Sequence, residues 1–298
     1  MYMVKKEVKV EKKELLKPKN DLIFQSLFNQ NNERITKAFV EALLEEKVEH
    51  IRINNDKELV REYPEDKLGI LDLQLDINYN EKVDVEVQLI EKENFVERLL
   101  YYFSKLYESQ IRRGDEYTEA KRVVLIAILD YKLEKTKIIE EMETIWTLRE
   151  KKRPELTLTN NIEIVIIELE KVRRAYEKDK NNKKAQWMLF LDDPNSKEVK
   201  EIMEKNENIK EAIVEVHKMS EDEKMRRLAD LREKAILDEK AIYKAGEKRG
   251  IEQGRKEKKE MKREIITQML KKNMSIEDIQ EITGETKEQI LKQKNEVE

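Results

Sequence analysis

Between Leu71 and Leu89 apolar and polar residues alternate twice. Leu71, Leu73, Leu75 and Ile77 interleave with Asp72, Gln74 and Asp76, and Val83, Val85, Val87 and Leu89 interleave with Asp84, Glu86 and Gln88. Successive side chains of a strand point to opposite faces, so this period of two predicts two strands, each with one apolar face turned to a core. Asn78 to Glu81 supplies turn residues between them and predicts an antiparallel hairpin. A further strand is expected around Ile51 and Ile53. Upstream, Ile23, Leu27 and Phe28, then Phe39, Val40, Leu43 and Leu44, recur at helical spacing, so two helices precede the sheet. Downstream, Phe95, Leu99, Tyr102, Phe103 and Leu106 mark a long amphipathic helix that Gly114 closes. The runs KRVVLIAILDY and NNIEIVIIEL are nearly continuously apolar and rich in Val and Ile, as strands covered on both faces are. From Lys183 onward the chain reads as helices, with Trp187, Met188, Phe190 and Leu191 in the core; Trp146 is expected in the core as well. The pattern predicts an α/β fold: a mixed sheet with a buried centre, flanked by helices, and a helical C-terminal region.

The texture changes beyond residue 240, where Gly246, Gly250 and Gly254 stand four residues apart and share one side of a helix. Glycine costs about 1 kcal/mol relative to alanine inside a helix. The spacing therefore predicts either a stripe against which another helix packs closely or a linker. Ser275 with Asp278, and Thr286 with Gln289, are capping pairs, and Gly284 is a stop signal, so two short helices follow the longer one. They resemble a helix-turn-helix unit or, equally, a packing or dimerisation tail. These shifts divide the chain into a charged leader, 1–19, a main domain, 20–235, and a helical tail, 236–298.

Charged residues make up 42% of the chain and hydrophobic ones 39%, and the periodic arrangement of the latter argues for a folded protein. Without cysteine there is no disulfide framework, zinc ribbon or thiol nucleophile. Two isolated histidines, His50 and His217, cannot build a multi-histidine centre, so any metal must be held by oxygen. No stretch approaches the ~20 apolar residues that span a bilayer, and the first residues lack the apolar core of a signal peptide. The expectation is a cytoplasmic protein with no membrane association. The net charge of −4 conceals basic ends: seven lysines against three glutamates in residues 1–19, and ten Lys plus Arg against four Glu in residues 248–272. Such runs are either solvated surface or nucleic-acid contacts.

The polar side of the hairpin reads as acid-rich and free of lysine. It is either an ordinary wet sheet face or a set of carboxylates converging on a cation. Like charges opposite one another destabilise a hairpin, and a divalent ion would reverse that penalty. Oxygen-bound Mg²⁺ supplies what phosphodiester hydrolysis needs: an activated water and charge stabilisation on the phosphate. Asp76 and Asp84 read as surface acids near the turn.

The run GILDLQLDINYNEKVDVEVQ, then FVERLLYYFSKLYESQIRRGDEY and a Val/Ile strand, resembles the PD-(D/E)XK nuclease family transposases, also called recombination-promoting nucleases. The leader KPKNDLIFQSLF is similar to that family's opening. The resemblance is strongest over residues 17–135 and returns in the tail, about 240–294. It implies a restriction-endonuclease-like core and a Mg²⁺-dependent, or Mn²⁺-supported, DNA endonuclease that acts on double-stranded DNA with little sequence preference and promotes recombination. By position, Asp72 and Glu86 match the metal-binding acids, and Gln88 takes the place of the motif lysine. Asp21 falls where a supporting residue stands on the first helix, and Arg98 and Tyr102 are auxiliary candidates one turn apart. Leu71 stands where the superfamily name implies proline. Gln88 departs in a way that matters, since glutamine neither accepts a proton nor supplies positive charge. The alternative is a non-catalytic, oligomeric DNA-associated protein that keeps the nuclease scaffold; a third reading is a self-associating structural protein with charged ends. A homo-oligomer through the C-terminal region is expected.

Overall fold

The computed structural model describes residues 14–54, 73–91 and 94–297. The chain divides into two compact units, Met1–Ile236 and Leu237–Glu298. The first is α/β. Helices α1 (Asp21–Leu27) and α2 (Glu33–Leu44) lead into strands β1 (Ile51–Asn54), β2 (Leu73–Ile77) and β3 (Glu81–Gln88). Helix α3 (Phe95–Glu108) carries the chain to β4 (Arg122–Leu129), and β5 (Glu143–Thr147) and β6 (Ile162–Glu168) complete the sheet. Helices α4 (Leu169–Lys178), α5 (Lys183–Asp192), α6 (Lys197–Met203) and α7 (Glu207–Glu221) follow, and α8 runs from Glu223 to Lys271.

The six strands lie in the order β1-β2-β3-β4-β6-β5. Pairing is antiparallel from β1 to β3, parallel through β3, β4 and β6, and antiparallel again at β5. The hairpin turn between β2 and β3 places Asn78 and Tyr79 at positive φ, 47° and 64°, as tight hairpins favour. The sheet is mixed and its centre is buried, as the Val- and Ile-rich runs indicate. On one face, Val83, Val85, Val124, Ile126, Val165 and Ile167 join Phe24, Phe28, Phe39 and Trp187 from the flanking helices in a single core. Phe28 and Phe39 stack at 4.2 Å, and Trp187 meets Phe39 edge-on at 5.4 Å. On the other face, Phe95, Leu99, Phe103 and Leu106 of α3 cover Val123, Leu125, Ala127 and Leu129 of β4. Each buried side chain of this size contributes roughly 1.5–3 kcal/mol.

Polar caps fix the helix starts. Asn20 accepts from Leu22 N–H at 3.1 Å, Asn182 from Ala185 N–H at 2.8 Å, and Asn206 from Ile209 N–H at 3.2 Å. The segment before α1 is tied to elements far along the chain. Leu15 N–H donates to Asn195 Oδ1 (2.9 Å), Leu16 N–H to Ser220 Oγ (2.9 Å), and Arg226 Nη2 to the Glu14 carbonyl (2.7 Å).

Two expectations need correction. Trp146 lies on β5 at the sheet edge and is 46% exposed, not in the core, because an edge strand has a neighbour on one side only. Gly246, Gly250 and Gly254 lie within α8, so the segment is a helix and not a linker, and among the described residues no heavy atom comes within 4 Å of a Cβ placed on any of them. In the second unit, α9 (Ile276–Thr283) and α10 (Lys287–Val297) close around Ile266, Ile279 and Ile290. Ser275 Oγ accepts from Asp278 N–H at 3.1 Å, and Gly284 ends α9 at φ 69°. Thr286 N–H donates to Gln289 Oε1 at 2.9 Å, completing the second cap. Among the described residues no helix is long and apolar enough to cross a membrane.

Candidate active site

The register of β1, β2 and β3 brings their polar side chains onto one face. Arg52 pairs with Asp76 and Asn54 with Gln74; Gln74 pairs in turn with Asp84, and Asp76 with Lys82. This row is not acid-only. Lys82 Nζ lies 3.5 Å from Asp76 Oδ1, and Asn54 Nδ2 donates to Asp76 Oδ2 at 3.2 Å, so Asp76 is a satisfied surface acid. Lys82 stands two residues before Asp84 and so shares its side of the strand, which corrects the expectation of a face free of lysine.

Neither is the row a wet face where it reaches β3. Parallel pairing sets Asp84 beside Leu125, Glu86 beside Ala127 and Gln88 beside Leu129. These β4 residues lie under α3, and the acids are enclosed with them: Asp84 is 0% and Glu86 5% exposed. Asp84 is therefore buried rather than a surface acid near the turn. Placing two carboxylates two residues apart on one strand face, away from water, is energetically costly and marks a position where charge serves a purpose.

Glu86 is held from two sides. Gln88 Nε2–H donates to Glu86 Oε1 at 2.5 Å, and Arg98 Nη2 of α3 stands 3.9 Å from the same oxygen. Arg98 also lies over the Tyr102 ring, 5.7 Å from its centroid, and reaches the Tyr102 hydroxyl at 3.5 Å. The structure thus brings Glu86, Gln88, Arg98 and Tyr102 together. Asp21, at the start of α1, accepts from Leu22 N–H at 2.8 Å and pairs with Arg232 at 3.7 Å. Asp72 lies outside the described residues; it directly precedes Leu73, which pairs with Val85, the neighbour of Glu86.

Two further residues border the site. Tyr131, just past β4, has an enclosed hydroxyl without a hydrogen-bond partner among the described residues. Burial, then the negative charges of Glu91 and Glu86, push its pKa above the ordinary tyrosine value, so it stays a neutral donor. Lys19 lies against the same end of the sheet. Its Nζ meets Asp130 Oδ1 and Asp192 Oδ1, both at 2.7 Å, and the Asp130 N–H donates to the Gln88 carbonyl at 2.9 Å. Burial opposes the Lys19 charge, but hydrogen bonds and attraction from the two aspartates outweigh it and hold its pKa above 10.5. Lys19 belongs to the KPKND leader, whose spacing alone does not reveal partners so distant in sequence.

Among the described residues no group of three or more His, Cys, Asp or Glu side chains converges as a metal cage. The donor chemistry nevertheless suits a hard divalent ion, since carboxylate oxygens supply it without cysteine or histidine.

Residues 18–246 match the model of a family described as PD-(D/E)XK nuclease family transposase. No curated protein and no solved structure matches the chain.

Proposed function

The chain belongs to the PD-(D/E)XK nuclease family transposases, and from that membership we propose that it is a DNA endonuclease that hydrolyses phosphodiester bonds of double-stranded DNA with little sequence preference and so promotes recombination. The observation that carries this reading is the pair of enclosed carboxylates, Asp84 and Glu86, on one face of β3 beside Gln88 and Arg98.

Asp72 and Glu86 would hold Mg²⁺ or Mn²⁺, and the bound ion would activate water and stabilise charge on the phosphate. The chain's own groups have distinct tasks. Gln88 fixes the orientation of the Glu86 carboxylate through its amide N–H. Arg98, about a third exposed, stands at the rim where a phosphate oxygen can take up the guanidinium, and the Tyr102 ring supports its plane. Tyr131 offers a neutral hydroxyl donor on the same side. Gln88 cannot serve as the proton acceptor, so no side chain here is assigned as general base.

The test is nicking of supercoiled plasmid with magnesium by wild type, Asp72→Ala and Glu86→Ala. Loss in both variants supports the enzyme. Equal nicking by all three sinks it, and DNA retention at low salt without cleavage would leave a non-catalytic DNA-associated protein.

A further inference from the structure

We infer that the outer edge of β5 is an interface between two copies of this chain, paired antiparallel about a two-fold axis at Trp146. Among the described residues β5 ends the sheet order and pairs with β6 alone. A strand edge presents backbone N–H and C=O groups ready to pair, and soluble proteins blunt such edges with charge, proline or bulges. The centre of this edge is instead apolar: Ile145 is 56% and Trp146 46% exposed, on opposite faces of the strand. Leu148 continues it, and Leu158, at 80% exposed, donates its N–H to the Leu148 carbonyl at 3.0 Å and so sits beside it. An exposed tryptophan flanked by aliphatic side chains has the composition of an interface centre.

The charges name the occupant. Three residues before Trp146 stands Glu143 and three after it Arg149; five before stands Glu141 and five after it Lys151; six before stands Glu140 and six after it Lys152. A second copy running antiparallel and centred on Trp146 brings Glu143 of each chain, whose Oε1 Lys184 also holds, to Arg149 of the other, Glu141 to Lys151, and Glu140, which pairs with Arg174 within its own chain, to Lys152. A parallel copy would set like against like. Self-complementarity of this kind is what a two-fold interface requires, whereas a polyanion such as DNA would meet Glu140 and Glu141 as well as the lysines. The edge is presented on a fixed element, because the buried Lys184 of α5 reaches Glu143 Oε1 at 2.5 Å from within the unit.

Trp146 lies on the proposed axis, so it faces its own copy, and this gives a specific test. Sedimentation velocity of the full chain, without DNA, is run on wild type, Trp146→Lys, Trp146→Glu and an equimolar mixture of the two variants, with far-UV circular dichroism as the check on folding. The expected result is wild type at twice the chain mass of 35.8 kDa, each variant at the chain mass, and the mixture back at twice that mass as lysine meets glutamate. Arg149→Glu, an exposed site, repeats the test without altering the apolar edge and should weaken association about tenfold or more. Wild type at the chain mass throughout would overturn the proposal. So would variants that keep the wild-type mass, which places any contact elsewhere, in the Leu237–Glu298 unit for instance. A mixture of folded variants that stays at the chain mass overturns it too, as does loss of DNA retention with mass unchanged, which would make the edge a nucleic-acid surface.

Discussion

Gln88 donates its Nε2–H to Glu86 Oε1 at 2.5 Å across one intervening residue of β3. The Gln88 amide thus acts on the acid two residues earlier, as a clamp on its orientation. The charge of Glu86 and the hydrogen bond it accepts are therefore separable by substitution.

Glu86→Gln keeps an oxygen that can accept from Gln88 and nearly the same volume, while removing one of two carboxylates enclosed on this face. Without metal its thermal midpoint should equal or exceed that of wild type, since like-charge repulsion is relieved. Nicking should fall at least about a hundredfold. Loss of the folded state would instead make Glu86 a structural residue, and circular dichroism beside the plasmid assay separates the outcomes.

Arg98→Gln tests the rim. If the guanidinium meets a phosphate, the slope of log affinity against log salt should become shallower by about one, with weaker binding across all sequences. Fluorescence anisotropy on a short duplex at several salt concentrations, with calcium in place of magnesium, measures it. An unchanged slope would confine Arg98 to its contacts with Glu86 and Tyr102.

Lys19→Met should cost about 1–3 kcal/mol at neutral pH, because Asp130 and Asp192 are left facing each other's charge without the cation between them. The raised pKa of Lys19 fixes the sign of the pH dependence. Its ion pairs contribute in full below the ordinary value of 10.5 and are lost as pH rises through the higher folded value. The gap between wild type and variant in urea midpoint should therefore be constant through neutral pH and narrow above pH 10.5. A gap that does not narrow would show that packing of the lysine stem, not its charge, holds the two aspartates.

Much of this architecture is legible in the sequence, for identifiable reasons. The hairpin and α3 read correctly because each has a buried face with its own period, of two or of 3.6, and β4 and β6 because strands covered on both faces are nearly continuously apolar. β5 does not, since Glu143–Thr147 is five residues long and pairs on one side only, leaving no alternation to detect. Residue type alone places Trp146 in the core, and topology sets it on the edge. At the site, the alternation that singles out Glu86 and Gln88 is local, but the burial of Asp84 comes from β4 and α3, through parallel pairing that no hairpin pattern contains. Lys82 balances Asp76 by the same kind of register effect. Lys19 meets its partners across 111 and 173 residues of chain, beyond any local signal.

Gly250→Ala bears on the tail. The position is inside α8 and a Cβ there meets nothing within 4 Å among the described residues, so alanine should stabilise the helix by about 1 kcal/mol. Helicity measured by circular dichroism on heating should persist to higher temperature. If Gly250→Ala instead lowers the mass seen in sedimentation, the glycine side of α8 is where another chain approaches.

The segment before α1 carries a consequence for how the protein comes into being. Its hydrogen bonds reach Asp192, Asn195, Ser220 and Arg226, all near the far end of the first unit. During synthesis the N-terminal residues emerge first, yet their partners leave the ribosome only after most of that unit has been made. Lys19 cannot bridge Asp130 to Asp192 until then, and contacts of such long sequence separation form late in folding. The end of the sheet that carries Gln88 is therefore among the last parts to be secured. A nascent chain stalled before residue 192 would lack that closure, so the end of the sheet that bears Glu86 and Gln88 would be completed only after Asp192 has emerged.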